Sequence, residues 1–319
     1  MAKRAAGPHG ILIVDKPSGP TSHDVVAQAR RHFGTRRVGH GGTLDPMATG
    51  VLVLLFGEAT KLSDVLTHGD KRYAAEVCLG RGTVSHDADG ATTELHEGVP
   101  ECSKQALEVA LELERARLLQ VPPAVSALKV NGRRAHSLSR AGTPPELAPR
   151  PVRVHDLRLL DASGPHLRLE LLVSKGYYVR SLARDLGQTL GIPAHLSQLR
   201  RLQSGSFLIS EAVAWPPGPE QALLPLGAAL PRLVPILQLT EAGVLRARRG
   251  QLLSAADFID APRLPEGAAT APSATVCGWT DALGNLIALG RSDADGFRVR
   301  RGFAESAESR VSDSAQNID

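Results

Sequence analysis

The segment Val38-Gly39-His40-Gly41-Gly42-Thr43-Leu44-Asp45-Pro46-Met47-Ala48-Thr49-Gly50-Val51-Leu52 sets one carboxylate in a glycine-punctuated loop just ahead of an apolar run. Gly39, Gly41, Gly42 and Gly50 let the backbone turn tightly and come close to a ligand, while Pro46 stiffens the exit. Asp45 is therefore presented on a defined support, and it is the candidate nucleophile. An unperturbed aspartate titrates at about 3.9, so Asp45 is charged at neutral pH provided burial does not raise that value. An Asp-dependent hydrolase would further need a water-activating base or a metal cluster. Neither a His-Glu-x-x-His motif nor an acidic ligand grouping is present, and Asp87-Ala88-Asp89-Gly90 reads as a turn.

The elements that must hold this loop are legible around it. Ile11-Leu12-Ile13-Val14 reads as a buried strand, and Gly19-Pro20-Thr21-Ser22 turns the chain into a helix with Val25, Val26, Ala29 and Phe33 at helical spacing. Val51 to Phe56 and Tyr73 to Leu79 read as two more strands. Ser103 caps a helix expected to carry Leu107, Ala110, Leu111 and Leu118 on one face until Val121-Pro122-Pro123 stops it. Residues 120–150, rich in Pro, Gly and Arg, break the rhythm as a long surface insertion would. Val152 to Leu160 and Leu167 to Ser174 alternate as paired strands. Leu182, Ala183, Leu186 and Leu190, followed by Gly191, mark a helix starting at Val179. Leu199-Arg200-Arg201 is read as helical, which makes Leu199 core by default.

Prolines at 216–219 and 231–235 place the end of this unit between about 215 and 235. Strand candidates at Ala274 to Trp279, Leu286 to Gly290 and Phe297 to Arg300 then suit a small β-rich module, and 304–319 is a polar tail expected to be disordered.

Several of these segments together resemble one family. The Asp45 loop is similar to the Gly-x-Leu-Asp-Pro-x-Ala-x-Gly motif of the bacterial TruB pseudouridine synthases, and Asp15-Lys16-Pro17-x-Gly19-x-Thr21-Ser22 is a second signature. Lys71-Arg72-Tyr73 and Ser174-Lys175-Gly176-Tyr177-Tyr178-Val179-Arg180 match two more. Pro122-Pro123-Ala124-Val125-Ser126-Ala127-Leu128-Lys129, Asn131-Gly132 and Leu199-Arg200-Arg201 with Ser204-Gly205-Ser206-Phe207 extend the resemblance over residues 10–210. It implies an α+β pseudouridine synthase fold, a mixed and largely antiparallel sheet flanked by helices, at 8–230, with an RNA-contacting insertion at about 120–150. Gly250-Gln251, Gly284-Asn285 and Asp295-Gly296-Phe297 resemble, more softly, the PUA RNA-binding domain, here 235–303.

The implied reaction converts the uridine at position 55, in the T-arm loop of tRNAs, to pseudouridine. Asp45 attacks the flipped-out nucleotide, Arg180 pairs with Asp45, and Tyr73 stacks on the uracil with its hydroxyl near the reacting base. The resemblance sets Tyr178 and Leu199 at the substrate pocket and His40 against the flipped part of the RNA loop. Lys16 is expected to support the Asp45 loop or a phosphate. Taken without the resemblance, Arg180 is a surface arginine, Tyr73 a core or edge residue and His40 a solvated loop histidine. Departures from the family pattern fall at Gly41, where Thr is common, at Val125 and His136, which replace tyrosines, and at Val84, where an acid often follows the Thr. They concern RNA contacts rather than chemistry.

Length and charge agree with such a substrate. The 319 residues, 42% hydrophobic, suffice for two domains with proper cores. A net charge of +4 and a pI near 9.1, with Arg30-Arg31, Arg36-Arg37, Arg133-Arg134, Arg200-Arg201 and Arg300-Arg301 as local clusters, favour a polyanionic partner. Cys78, Cys102 and Cys277 are scattered and odd in number, which argues against a disulfide framework or a zinc knuckle. The apolar run after the basic N-terminus is too short for a signal peptide or a membrane span. A cytoplasmic monomer is expected, acting on tRNA with no metal, organic cofactor, guide RNA or obligate protein partner. The alternative is a catalytically silent RNA-binding or RNA-folding protein on the same scaffold.

Overall fold

The computed structural model describes residues 7–98, 100, 102–126, 128–130, 132–140, 142–143, 145–218, 221–260, 276–293 and 295–304. The tail expected at 304–319 lies outside them beyond Ala304.

A mixed sheet forms the centre. Its strands are β1 (Gly10–Lys16), β2 (Val38–His40), β3 (Thr49–Phe56), β4 (Lys71–Leu79), β5 (Val154–Ser163), β6 (His166–Val173), β7 (Ala194–Ser204), β8 (Phe207–Leu208) and β9 (Val213–Ala214). They run in the order β5-β6-β4-β7-β3-β1-β9, with β2 added on β3 and β8 on β7. Most neighbours are antiparallel; β7 against β3 and β1 against β9 are parallel. The fold is thus α+β with a sheet core. β1 and β3 read as unbroken apolar runs because both of their faces are covered. Leu12, Val14, Leu52, Leu54 and Phe56 pack with Val25 and Val26 on one side, while Ile11, Ile13, Val51, Val53 and Leu55 pack with Leu62, Leu66 and Phe207 on the other.

Helix α1 (Ser22–His32) begins at a capping box in which Thr21 and Asp24 exchange side-chain and backbone hydrogen bonds. Helix α2 (Lys104–Arg115) is capped by Ser103 as its sequence requires, but it ends at Arg115. Leu118 therefore does not join the buried face; it is 73% exposed. Leu119–Gln120 instead pairs with Arg150–Pro151, and the insertion leaves and returns through this short ladder. Helix α3 (Val179–Leu190) ends at Gly191, whose φ of +69° supplies the left-handed turn that only glycine adopts freely.

A second sheet follows, β10 (Ile236–Gln238), β11 (Val276–Thr280), β12 (Leu286–Asp293) and β13 (Gly296–Gly302), in sequential order. Its core holds Phe258, Trp279 and Phe297. It is docked on the central unit: Leu289 packs with Ile11 and Val53, Lys61 donates to the Gly302 carbonyl at 2.7 Å, and Ala304 N–H donates to Glu58 at 3.1 Å. Among the described residues no helix is long and apolar enough to cross a membrane.

Candidate active site

The Asp45 loop connects β2 to β3, and five of its carbonyls are held by side chains. Ser22, at the start of α1, donates to Leu44 O at 3.1 Å and accepts from Leu44 N–H at 2.9 Å. Lys16, the last residue of β1, donates to Pro17 O at 2.8 Å, Pro46 O at 3.1 Å and Ala48 O at 2.8 Å. Its side chain is fully buried under the loop, so Lys16 supports the loop and is not available to touch substrate directly. Burial lowers the Lys16 pKa to about 8, with the Asp45 carboxylate opposing the shift and Arg201 adding to it.

Asp45 faces a cavity of about 840 Å³ walled by Tyr73, Tyr177, Tyr178, Leu199, Arg180 and Arg201, among others. Arg180, at the N-terminal end of α3, reaches across it. Its Nε donates to Asp45 Oδ2 at 2.9 Å and its Nη2 to Oδ1 at 3.1 Å. The remaining Nη1 donates to Ser85 O at 3.1 Å and Val125 O at 2.9 Å, and Asp87 Oδ2 stands 3.7 Å from Nε. Arg180 is 5% exposed, whereas the Asp45 side chain keeps 31%. The arginine is fixed and satisfied, and the carboxylate is oriented with one side open to the cavity. The sequence reads Asp87 as a turn residue. It does hold a turn, accepting from Ser85 Oγ and Asp89 N–H, yet it is buried and adds a second carboxylate beside Arg180.

Tyr73 lies on β4 opposite Arg201 of β7 and Leu171 of β6, which directs its ring into the cavity wall. Leu199 also lines the wall, but from strand β7 and not from a helix as its sequence suggested. A bulge at Leu196/Gln198 shifts the alternation by one residue, so Leu196 and Leu199 imitate helical spacing. Tyr178 precedes α3; its backbone N–H and C=O are both bound by the Gln120 side chain, at 2.8 and 3.2 Å. Burial raises the Tyr178 pKa, so its hydroxyl stays protonated. Tyr177 turns inward and donates to Glu114 of α2 at 2.6 Å, anchoring this corner.

His40 stands behind the rim. The wall there is made by Thr21, Ser22 and His23, and the His23 ring meets His40 edge-on at 5.5 Å. His40 Nδ1 accepts from Gly42 N–H at 3.3 Å, which leaves Nε2 to carry the proton of the neutral ring. Burial above all, and then His23 and Arg201, lower its pKa to about 4.

Arg200-Arg201, one of the local basic clusters of the sequence, is divided between a half-exposed Arg200 and a buried Arg201. Arg201 is 1% exposed and donates to Val51, Thr43 and Gly42 carbonyls, while Arg200 is paired with Asp15 at 2.6 Å. Alternation along β7 would have revealed Arg201 as an inward residue, two positions from Leu199, had the bulge been anticipated. Two of the departures, at Gly41 and Val125, are accommodated locally. A Cβ on Gly41 would sit 3.0 Å from Leu66 Cβ, so glycine matches the leucine packed there. Val125 contributes to Arg180 through its carbonyl, which any residue supplies.

Comparisons with known proteins bear on the family to which the chain belongs. Residues 30–179 match the TruB family pseudouridylate synthase N-terminal domain, and residues 180–215 match the tRNA pseudouridylate synthase B C-terminal domain. The chain is 44% identical over 260 residues to tRNA pseudouridine synthase B of Paracoccus denitrificans, covering 78% of this chain and 86% of that protein. It is 46% identical over 214 residues to the Mycobacterium tuberculosis H37Rv protein of the same name, covering 65% and 70%. Two solved structures share the fold. One is an H/ACA RNP bound to a substrate RNA containing 2′-deoxyuridine, with a TM-score of 0.68, 21% identity and coverage of 93% of this chain and 86% of that one. The other is a Cbf5-Nop10-Gar1 complex, with a TM-score of 0.69, 23% identity and coverage of 93% and 84%. On the extent of the family matches and the identity to these relatives, the chain belongs to the TruB family of pseudouridylate synthases.

Proposed function

We propose that this protein isomerises uridine to pseudouridine in tRNA, at position 55 in the T-arm loop, with Asp45 as nucleophile. The observation that carries the reading is the two-point pairing of Arg180 with a half-open Asp45 at a cavity lined by Tyr73, Tyr178 and Leu199. A uridine stacked in an RNA loop cannot reach Asp45, so the nucleotide is turned out into the cavity. Asp45 attacks C1′ as the N1–C1′ bond breaks, the freed uracil rotates, and C5 then bonds to C1′ as the Asp45–C1′ bond breaks and the carboxylate is released. The C5 proton is lost and N1 gains one, so nothing is oxidised. Stacking on Tyr73, worth about 1–3 kcal/mol, retains the detached base during rotation, and Leu199 and Tyr178 complete its walls. Arg180 holds the carboxylate in line and compensates its partial desolvation. His40, neutral and backed by His23, supports the unstacked RNA loop by packing and hydrogen bonding.

In the same reading residues 8–230 form the catalytic domain, the insertion at about 120–150 grips the T arm, and 235–303 is a PUA-like RNA-binding domain. The protein works as a cytoplasmic monomer with no guide RNA, cofactor or metal. Relatives named tRNA pseudouridine synthase B support tRNA as the substrate class. Carbodiimide mapping of an unmodified tRNA transcript after incubation tests this directly. A single new reverse-transcription stop at the T-loop uridine is expected. Tight RNA binding with no stop anywhere would favour the silent RNA-binding alternative.

A further inference from the structure

Arg201 is a buried cation whose bonds all go to main-chain carbonyls. Nε donates to Val51 O at 2.7 Å, Nη1 to Thr43 O at 3.1 Å and Nη2 to Gly42 O at 3.1 Å. These acceptors stand on both sides of Asp45: two in the loop before it and one on β3 after it. Lys16 binds the stretch between, at Pro46 and Ala48, and Ser22 binds Leu44. The loop is thereby tied at five carbonyls by three side chains from β1, α1 and β7.

The arrangement is electrostatically costly. Arg201 forms no ion pair among the described residues, and its charge lies near enough to Lys16, Lys71 and His40 to disfavour protonation of each. A residue needed only to fill this space could be apolar. A planar guanidinium meets its three acceptors from three separate nitrogens, whereas the Lys16 ammonium meets its three from one.

Resting on the reading of Asp45 as nucleophile, we infer that Arg201 is a positioning residue for the reaction: it clamps both flanks of the loop and so fixes where the Asp45 carboxylate stands. Arg201 itself need not touch the reacting atoms. Lysine cannot replace it, because an ammonium presents its donors from a single nitrogen and cannot span Gly42, Thr43 and Val51 together.

The test compares Arg201→Lys with the parent enzyme by hydrogen–deuterium exchange, RNA affinity and single-turnover rate. Faster exchange confined to amides 41–50 is expected, with melting temperature and RNA Kd essentially retained and turnover reduced on the order of 100-fold, the scale of an ångström-sized misplacement. Unchanged loop exchange, or acceleration spread evenly through β1 and β6, would overturn the inference, as would normal turnover. Arg201→Ala adds a second arm, in which millimolar guanidinium should restore part of the rate by entering from the cavity. Exchange is read without substrate. It therefore decides the role of Arg201 in fixing the loop even if the parent enzyme shows no pseudouridine formation, a result that would count against the functional reading alone.

Discussion

Arg180 and Asp45 are 135 residues apart in the chain and share two hydrogen bonds, Nε to Oδ2 at 2.9 Å and Nη2 to Oδ1 at 3.1 Å. The same guanidinium also binds Ser85 and Val125 carbonyls, so it joins the β2–β3 loop, the Asp87 turn and the insertion at one point. Arg180→Ala should therefore lower turnover on the order of 10²–10³-fold while leaving RNA affinity little changed. Single-turnover kinetics beside filter binding separates the two. A loss confined to affinity would contradict the role given to Arg180. Arg180→Lys should rescue poorly, since a lysine gives up the two-point geometry.

Acid should destabilise the protein through two histidines. His40 and His86 each titrate near 4 in the folded chain, chiefly because burial disfavours the charged ring; for His86 the Arg184 and Arg180 guanidiniums add to this. In the unfolded chain each takes up its proton near 6.5. Between those values the unfolded state holds more protons, so stability is complete above about 6.5 and declines as pH falls towards 4. Urea denaturation at a series of pH values measures this slope. His86→Asn should flatten it, and asparagine tolerates the φ of +59° at that position. A slope that is unaltered in this variant would show that His86 is not a source.

Gly50 is where β3 leaves the loop, and its backbone lies against Arg201 of β7. It has a φ of +99°, and a Cβ there would fall 2.2 Å from Arg201 O and 2.7 Å from Arg201 N. No side-chain rotation relieves a clash with backbone. Gly50→Ala should cost on the order of 3 kcal/mol from strain and overpacking together, read from chemical denaturation. A change below about 0.5 kcal/mol, the usual range for neutral surface substitutions, would mean that the strands are not locked as described.

Much of this organisation is legible in the chain. β1 and β3 announce themselves as continuous apolar runs, Gly19-Pro20-Thr21-Ser22 leads into α1, and Gly191 ends α3. Asp45 and Arg180 stand on motifs, and folding brings them into contact. What was hidden depends on tertiary pairing. The sequence around Leu107 to Leu118 favours a longer helix, but Arg115 is drawn to Leu157 O and the chain beyond it is taken into the ladder with Arg150–Pro151. Leu199 and Arg201 stand on a strand that reads as helical because one bulge converts strand alternation into an apparent helical period. Lys16 belongs to a residue type that is usually exposed, so nothing local marks it as the fully buried support of a loop. Gln120, which binds both backbone groups of Tyr178 from 58 residues away, carries no signal in its own neighbourhood.

The most direct measurement is tritium release from a tRNA transcript labelled at C5 of uridine, with the purified protein and its Asp45→Asn variant side by side and RNA affinity determined for both. Asparagine keeps the shape of the side chain and removes its charge. The account predicts release by the parent protein, none by Asp45→Asn, and similar RNA affinity for the two. Equal release by both proteins would contradict the assignment of Asp45 as nucleophile.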